Sequence, residues 1–457
     1  MRVAFKTVGC KLNQAETARI AAGFVAAGYA VTDWGRPCEV AVVHSCAVTG
    51  DAERTSARLA RSAARQEPRP FVVLIGCAAE ADAARIRDVT GADLIVGQRD
   101  KYDLPARLRV LAFPANASKG SAKTEHGLPP DTRHAPPDTR LPCPSLLSRT
   151  RAIVKIQDGC DFRCAYCIVP LTRGAPVSRP LPEIVAELEA LAENGVREVM
   201  LTGVNIGLYR HGRVRLPELL QRIESVAGIL RFRIGSLEMS TTEKAVADFM
   251  AQSGKLCRYL HFPLQSGDDT VLRDMGRRYA VREWRQSVEY ALAKLGTPGL
   301  GADIVVGFPG EDRRAFANTL ALVRDLPFSN LHVFPFSPRP GTRAFDMPQT
   351  VSATEKKERV SRLIALGARK RIAFARTWIG REVSVLIEKR EGPVSRGWTS
   401  EYVPAILSNS GSRINELARF LPRASRDGIV YERRPSLQRR SKEFAPPEPR
   451  MNTDSHG

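Results

Sequence analysis

The chain has 457 residues, and 69 Lys and Arg against 49 Asp and Glu give it a net charge of +20. That length exceeds one small core, so two to four domains are expected, and an apolar content of 43% argues against a disordered chain. A surface this basic favours nucleic acid as a partner, because phosphates attract it and release counterions on binding.

No stretch approaches the roughly eighteen apolar residues of a membrane span. Met1-Arg-Val-Ala-Phe-Lys6 runs straight into a strand-like segment without signal-peptide anatomy. The cysteines form no secreted framework, and a reducing compartment would preserve them as thiolates. The expectation is a cytoplasmic protein with no membrane partner.

The first hundred residues alternate strands and helices. Strands are expected at Val3–Val8, Val40–His44, Phe71–Ile75 and Leu94–Val96, with helices near Gln14–Ala27, Ala52–Arg65 and Glu80–Val89. This βα order implies a parallel sheet covered by helices. Cys10, Cys46 and Cys77 each follow one of the first three strands directly. The carboxyl ends of parallel strands share one edge, where ligands bind, so three thiols distant in sequence should converge into a metal site. Three small buried hydrophobes are the alternative.

Residues 113–148 are rich in Pro, Ser, Lys and Thr and repeat Pro-Pro-Asp-Thr-Arg, at Pro129–Arg133 and Pro136–Arg140. Their scarce apolar surface suggests a flexible linker, with Cys143 a bystander. Beyond it, six further strands are expected at Ala152–Ile156, Glu198–Leu201, Arg231–Ile234, Tyr259–Pro263, Ala302–Val306 and Leu331–Phe334. The helices between them include Pro182–Glu193, Pro217–Val226, Arg282–Leu295 and Arg313–Asp325. Six units are too few for an eight-stranded barrel and fit a partial, open one.

Just past the first of these strands lies Cys160-Asp-Phe-Arg-Cys164-Ala-Tyr-Cys167. Three thiolates in so tight a loop can hold three corners of one metal centre. Structural zinc normally takes two separated ligand pairs, whereas an iron–sulfur cluster held by three thiolates keeps one iron open for a ligand. A basic helical stretch at Thr354–Thr377 then leads to strands at Glu382–Ile387 and Tyr402–Leu407, which suggest a small β-barrel, and after Leu407 the strand pattern fades into a polar tail. Cys38 and Cys257 read as packing residues, and the seven histidines show no ligand spacing.

Several blocks together resemble the methylthiotransferase branch of the radical S-adenosylmethionine enzymes. They are Thr7–Thr17, Lys155–Cys160 with Cys167–Pro170, Leu201–Leu208, His261–Gly267, Asp303–Glu311 and His332–Thr342, and with a carboxyl-terminal module that resembles the RNA-binding TRAM domain the resemblance covers about 400 of the 457 residues. The resemblance implies an α/β protein of five parts. These are a flavodoxin-like cluster-binding domain at 1–112, the linker at 113–148, a partial (β/α)6 barrel at 149–375, a TRAM-like RNA-binding β-module at 376–435 and a disordered tail at 436–457.

It further implies two 4Fe-4S clusters, one held by Cys160, Cys164 and Cys167 with S-adenosylmethionine on its open iron, the other by Cys10, Cys46 and Cys77. Tyr166, Gly203, Glu238 and Gly307 are its candidate cofactor contacts, with Met239 standing where the family often has Pro after the glutamate. Lys11-Leu-Asn-Gln14 is most similar to the enzymes that methylthiolate carbon 2 of N6-threonylcarbamoyladenosine at position 37 of tRNA. The implied partners are the tRNA anticodon stem-loop and an electron donor such as a flavodoxin or ferredoxin. Isopentenyladenosine in tRNA and a ribosomal-protein aspartate are alternative substrates, and a non-catalytic RNA-binding metalloprotein is a third reading.

Overall fold

A computed structural model describes residues 1–110, 150–239, 242–408 and 413–433. The expected linker at 113–148, Cys143 and the tail at 436–457 fall outside these residues. The described chain forms two compact units, residues 1–110 with Ile168–Gly174, and the remainder.

The first unit is a five-stranded parallel sheet in the order β2-β1-β3-β4-β5. Its strands are β1 (Arg2–Thr7), β2 (Ala30–Thr32), β3 (Val40–Ser45), β4 (Phe71–Gly76) and β5 (Leu94–Val96). That order is the flavodoxin type, with its switch point between β1 and β3. Alternation along the central strands splits the core in two. Ala41, Val43, Val72 and Leu74 face one layer with Ala60 and Ile86, and Val40, Val42, Val73 and Ile75 face the other with Ile20 and Phe24.

Three expectations need correction here. β2 was not anticipated, because three residues at a sheet edge carry almost no periodic signal. The helix expected from Gln14 begins at Lys11 (α1, Lys11–Ala26), since Cys10 is already the extended residue that precedes its first turn. The helix expected over Glu80–Val89 is two, Cys77–Ala81 and Ala83–Thr90. Asp82 leaves helical geometry between them, and its side chain accepts from the Arg85 amide at 3.0 Å.

In the second unit six parallel strands follow one another as two sheets of three. Arg151–Lys155, Glu198–Thr202 and Arg231–Ile234 form one, and Tyr259–His261, Gly299–Val306 and Asn330–Pro335 the other. A bridge between Phe232 and Leu256 and a hydrogen bond from Leu237 N to His261 O link the halves. This is the open six-stranded barrel that the repeats suggest. At its amino-terminal end Glu198, fully buried, faces Arg151, Arg231 and Arg233. Arg231 and Arg233 in turn donate to the carbonyls of Trp398, Thr399 and Ser400, so the turn at 398–402 is bonded to the barrel floor.

That turn belongs to a six-stranded sheet over Val383–Tyr431, packed on Phe374 and Ala375 at the end of the basic helix Ala353–Arg376. The strand pattern does not end at Leu407. Leu417–Phe420, Ala424–Arg426 and Ile429–Tyr431 continue it, burying Phe420, Ile429 and Val430. Strands of three or four residues between charged neighbours hide their alternation. No helix among the described residues is long and apolar enough to cross a membrane.

Candidate active site

In the second unit, the loop after the first barrel strand carries Cys160, Cys164 and Cys167, all partly exposed. Gly159, at φ +68°, turns the chain into it, a conformation that favours glycine. The loop is pinned at its middle, where the Ala165 amide donates to Met275 O and Ala165 O accepts from the Ala344 amide, both at 2.8 Å. Phe162 and Ala165 are buried between the cysteines, which are themselves partly exposed.

The sulfurs are themselves hydrogen-bond acceptors. The Phe162 amide lies 3.4 Å from Cys160 Sγ, and Arg277 Nη1 lies 3.2 Å from Cys164 Sγ and 3.4 Å from the Tyr166 hydroxyl. The other Arg277 nitrogen pairs with Glu238. Tyr166 packs edge-on against Phe308 at 6.4 Å. Burial pushes the Glu238 carboxyl up, and Arg277 opposes that. Glu238 thus stands beside the cysteine loop through Arg277.

The two glycines behave differently. A Cβ on Gly203 would come within 2.9 Å of Gln157 O and Oε1. Gln157 bonds the carbonyls of Asp158 and Gly159 and the amide of Asn205, so the absent side chain makes room for the residue that shapes the entry to the loop. A Cβ on Gly307, at φ +74°, would meet the Lys356 methylenes from 2.6 Å. Both positions are filled by protein neighbours.

In the first unit the strand-end cysteines do converge. Gly9 and Gly76, at φ +98° and +102°, turn the chain out of β1 and β4 into Cys10 and Cys77. A Cβ on Gly9 would stand 2.8 Å from Cys46 Sγ, so Cys46 lies directly under that turn. Burial, followed by the neighbouring Cys10 and Cys77 thiols, pushes the Cys46 thiol up to about 12. Cys46 and Cys77 are buried and Cys10 is exposed, and three thiols brought to one edge of the sheet are a ligand set for a thiophilic metal.

A polar layer that sequence reasoning missed supports them. Gln98 Nε2 lies 2.9 Å from Cys77 Sγ, and Asn13 Nδ2 donates to Val8 O and Ser45 O. Arg173 donates to Asn13 Oδ1 at 2.7 Å and to Glu16 at 3.1 Å. Lys101 pairs with Glu16 at 2.7 Å and also donates to Gln98. Two buried cations face one carboxylate, and that surplus positive charge beside three thiols suits an anionic thiolate cluster. Asn13 and Glu16 lie inside the Thr7–Thr17 block, but nothing in their spacing tied them to Gln98, Lys101 or Arg173. Cys38 and Cys257 are buried, Cys38 in the same apolar layer as Cys77.

Residues 154–323 match the radical SAM superfamily, and residues 2–97 match an uncharacterized protein family, UPF0004. A Bacillus subtilis protein, threonylcarbamoyladenosine tRNA methylthiotransferase MtaB, is 32% identical over 430 residues, covering 91% of this chain and 92% of that one. Among solved structures, the radical S-adenosylmethionine methyltransferase TsrM from Kitasatospora setae aligns over 75% of both chains with a TM-score of 0.55 and 14% identity. The cobalamin-dependent radical enzyme OxsB aligns over 79% of this chain and 56% of that one, with a TM-score of 0.51 and 11% identity. These two likenesses concern the fold.

MtaB-like enzymes use S-adenosylmethionine and two 4Fe-4S clusters, and the two thiol trios have the donors and the surroundings for such groups. With a parallel-sheet unit, an open six-stranded barrel and a relative matched almost end to end, the chain belongs to the radical S-adenosylmethionine methylthiotransferase family, a family of enzymes that transfer sulfur-containing groups.

Proposed function

We propose that this protein methylthiolates tRNA, at carbon 2 of N6-threonylcarbamoyladenosine in position 37 beside the anticodon. The observation that carries this reading is the near full-length match to a relative of that name, in a chain that also keeps both thiol trios. In this reading Cys160, Cys164 and Cys167 hold one cluster, and Cys10, Cys46 and Cys77 the other. Bound there, the clusters and S-adenosylmethionine supply one-electron chemistry and the inserted sulfur.

The protein's own residues do the rest. Arg277 neutralises charge at Cys164 and fixes Glu238 and Tyr166 around the loop. At the other trio Gln98 donates to Cys77, and Arg173 and Lys101 brace Asn13 and Glu16 beside it. The target carbon has no acidic proton, so a general base could not activate it, and the site must instead exclude water and aim. A base in an anticodon loop is already single-stranded, so splaying it into a barrel costs less than flipping it from a duplex. The basic helix Ala353–Arg376 and the sheet beyond it grip the backbone without reading sequence. Electrons come from a flavodoxin- or ferredoxin-like donor, and the setting is the cytoplasm.

Mass spectrometry of tRNA nucleosides from strains with and without the gene tests the reading. The 2-methylthio derivative of N6-threonylcarbamoyladenosine should vanish on deletion and return with the gene. An unchanged nucleoside profile would refute it.

A further inference from the structure

The strand Gly299–Val306 presents Gly299, Gly301 and Asp303 to one face, because side chains alternate along a strand. The two glycines are aisles. A Cβ on Gly301 would stand 2.2 Å from the Tyr259 hydroxyl and 2.6 Å from His261 Nδ1, so the rings of the neighbouring strand lie across this one. On the other side His332 is the residue paired in register with Asp303.

Both imidazoles close on the same carboxylate oxygen. His332 Nδ1 lies 3.0 Å from Asp303 Oδ1, and His261 Nε2 lies at the same distance, bent away from the ideal line. The outer nitrogens also have partners. The Tyr259 hydroxyl is 3.4 Å from His261 Nδ1, and the Asn330 amide is 3.1 Å from His332 Nε2 and bonds Tyr259 as well. With Tyr259 and Asn330 donating outward, each ring can turn its other N–H toward Asp303, His332 in a hydrogen bond and His261 in a bent contact.

Burial would raise the Asp303 carboxyl, but His261 and His332 outweigh it and hold it below the usual carboxylate range. Among the described residues Oδ2 accepts no hydrogen bond, and the carboxylate is 22% exposed. Asp303 and His261 lie within electrostatic reach of Glu238, which Arg277 ties to Cys164 of the cysteine loop.

The same three side chains bring ligand atoms within 4.8 Å of one another, as a divalent cation would require. A cation, however, would require both rings to give up their inward protons and Asn330 to turn its amide over. The hydrogen-bond ring needs neither.

We propose that Asp303 Oδ2 accepts the exocyclic N6–H of the target adenine, with His261 and His332 as positioning residues; the assignment rests on the tRNA reading above. The carbon that reacts has only a C–H and gives a hydrogen bond nothing to hold, so the ring must be fixed elsewhere. The exocyclic nitrogen is the base's own N–H donor, and an ionised, pre-oriented carboxylate is its strongest acceptor.

The test measures binding of two anticodon stem-loops to the cluster-loaded protein. One carries N6-threonylcarbamoyladenosine, and the other its N6-methyl derivative, which has no proton at that nitrogen. The wild type should bind the first about tenfold more tightly. Asp303→Asn and Asp303→Ala, checked for iron content and circular dichroism, should bind both alike. His332→Asn, whose amide can stand where Nδ1 does, should retain discrimination that His332→Leu loses. Discrimination that persists in both Asp303 variants overturns this assignment alone. So does stoichiometric Mn²⁺ or Zn²⁺ in the wild type, beyond cluster iron, that Asp303→Asn loses. A wild type that binds neither stem-loop overturns the tRNA reading and this assignment together.

Discussion

Arg277 donates to the sulfur of Cys164 at 3.2 Å while its other nitrogen pairs with Glu238, so one buried guanidinium ties a cysteine of the loop to a carboxylate inside the barrel. A positive charge this close favours the more negative, reduced state of a thiolate cluster. Arg277→Gln should therefore lower the midpoint potential of that cluster by some tens of mV, the equivalent of about 1 kcal/mol at an intermediate dielectric. Redox titration followed by electron paramagnetic resonance reads this directly. An unchanged potential would mean that Arg277 only packs.

The two thiol trios should account for iron separately. Reconstituted wild type should carry about eight irons per chain and either triple Cys→Ala variant about four. If the combined Cys10→Ala, Cys46→Ala and Cys77→Ala protein keeps its full iron, the first unit holds no cluster.

Glu198 ties the barrel floor together. Burial raises its carboxyl, but Arg233, Arg231 and Arg151 outweigh that and hold it at about 2, against an ordinary 4.5. A depressed native value stabilises the fold above the unfolded value, so the contribution, about 3 kcal/mol, is lost as pH falls from about 4.5 through 2. Glu198→Gln should cost about 3–5 kcal/mol at neutral pH by stranding three arginines, and its denaturant midpoint should fall less steeply with acid. Urea melts at a series of pH values provide the comparison, and parallel pH profiles would count against the ion cluster.

Gly301→Ala inserts a methyl where the Tyr259 hydroxyl lies 2.2 Å away and His261 Nδ1 2.6 Å away. Overpacking of this kind costs about 1–3 kcal/mol. A thermal melt should show a lower midpoint for Gly301→Ala, and an unchanged one would mean that the two rings swing aside freely.

The architecture could be read largely from the residues because its signals are periodic. Apolar runs such as Val40–Ser45 and Phe71–Gly76, each ending near a cysteine, give both the parallel sheet and the convergence of Cys10, Cys46 and Cys77. Elements with little periodicity were lost. Ala30–Thr32 is an edge strand of three residues, and Leu417–Tyr431 breaks into short strands between charged turns.

The supporting side chains were harder to see than the cysteines. Arg173 meets Glu16 across 157 positions, and His261 and His332 come together at Asp303, their ring centroids 5.0 Å apart. Those letters lay within or beside the recognised blocks, yet their partnership exists only once the strands are in register. Gly203 and Gly307 show the reverse. A glycine at a strand end suggests space for a ligand, and here Gln157 and Lys356 occupy that space.

The most direct test of the account combines purified, cluster-loaded protein with S-adenosylmethionine, a reductant and an anticodon stem-loop bearing N6-threonylcarbamoyladenosine. The account predicts a methylthio group on carbon 2 of that base by mass spectrometry, together with 5′-deoxyadenosine. Cofactor cleavage with the base left unmodified, while isopentenyladenosine or a ribosomal-protein aspartate gains the group, would contradict it.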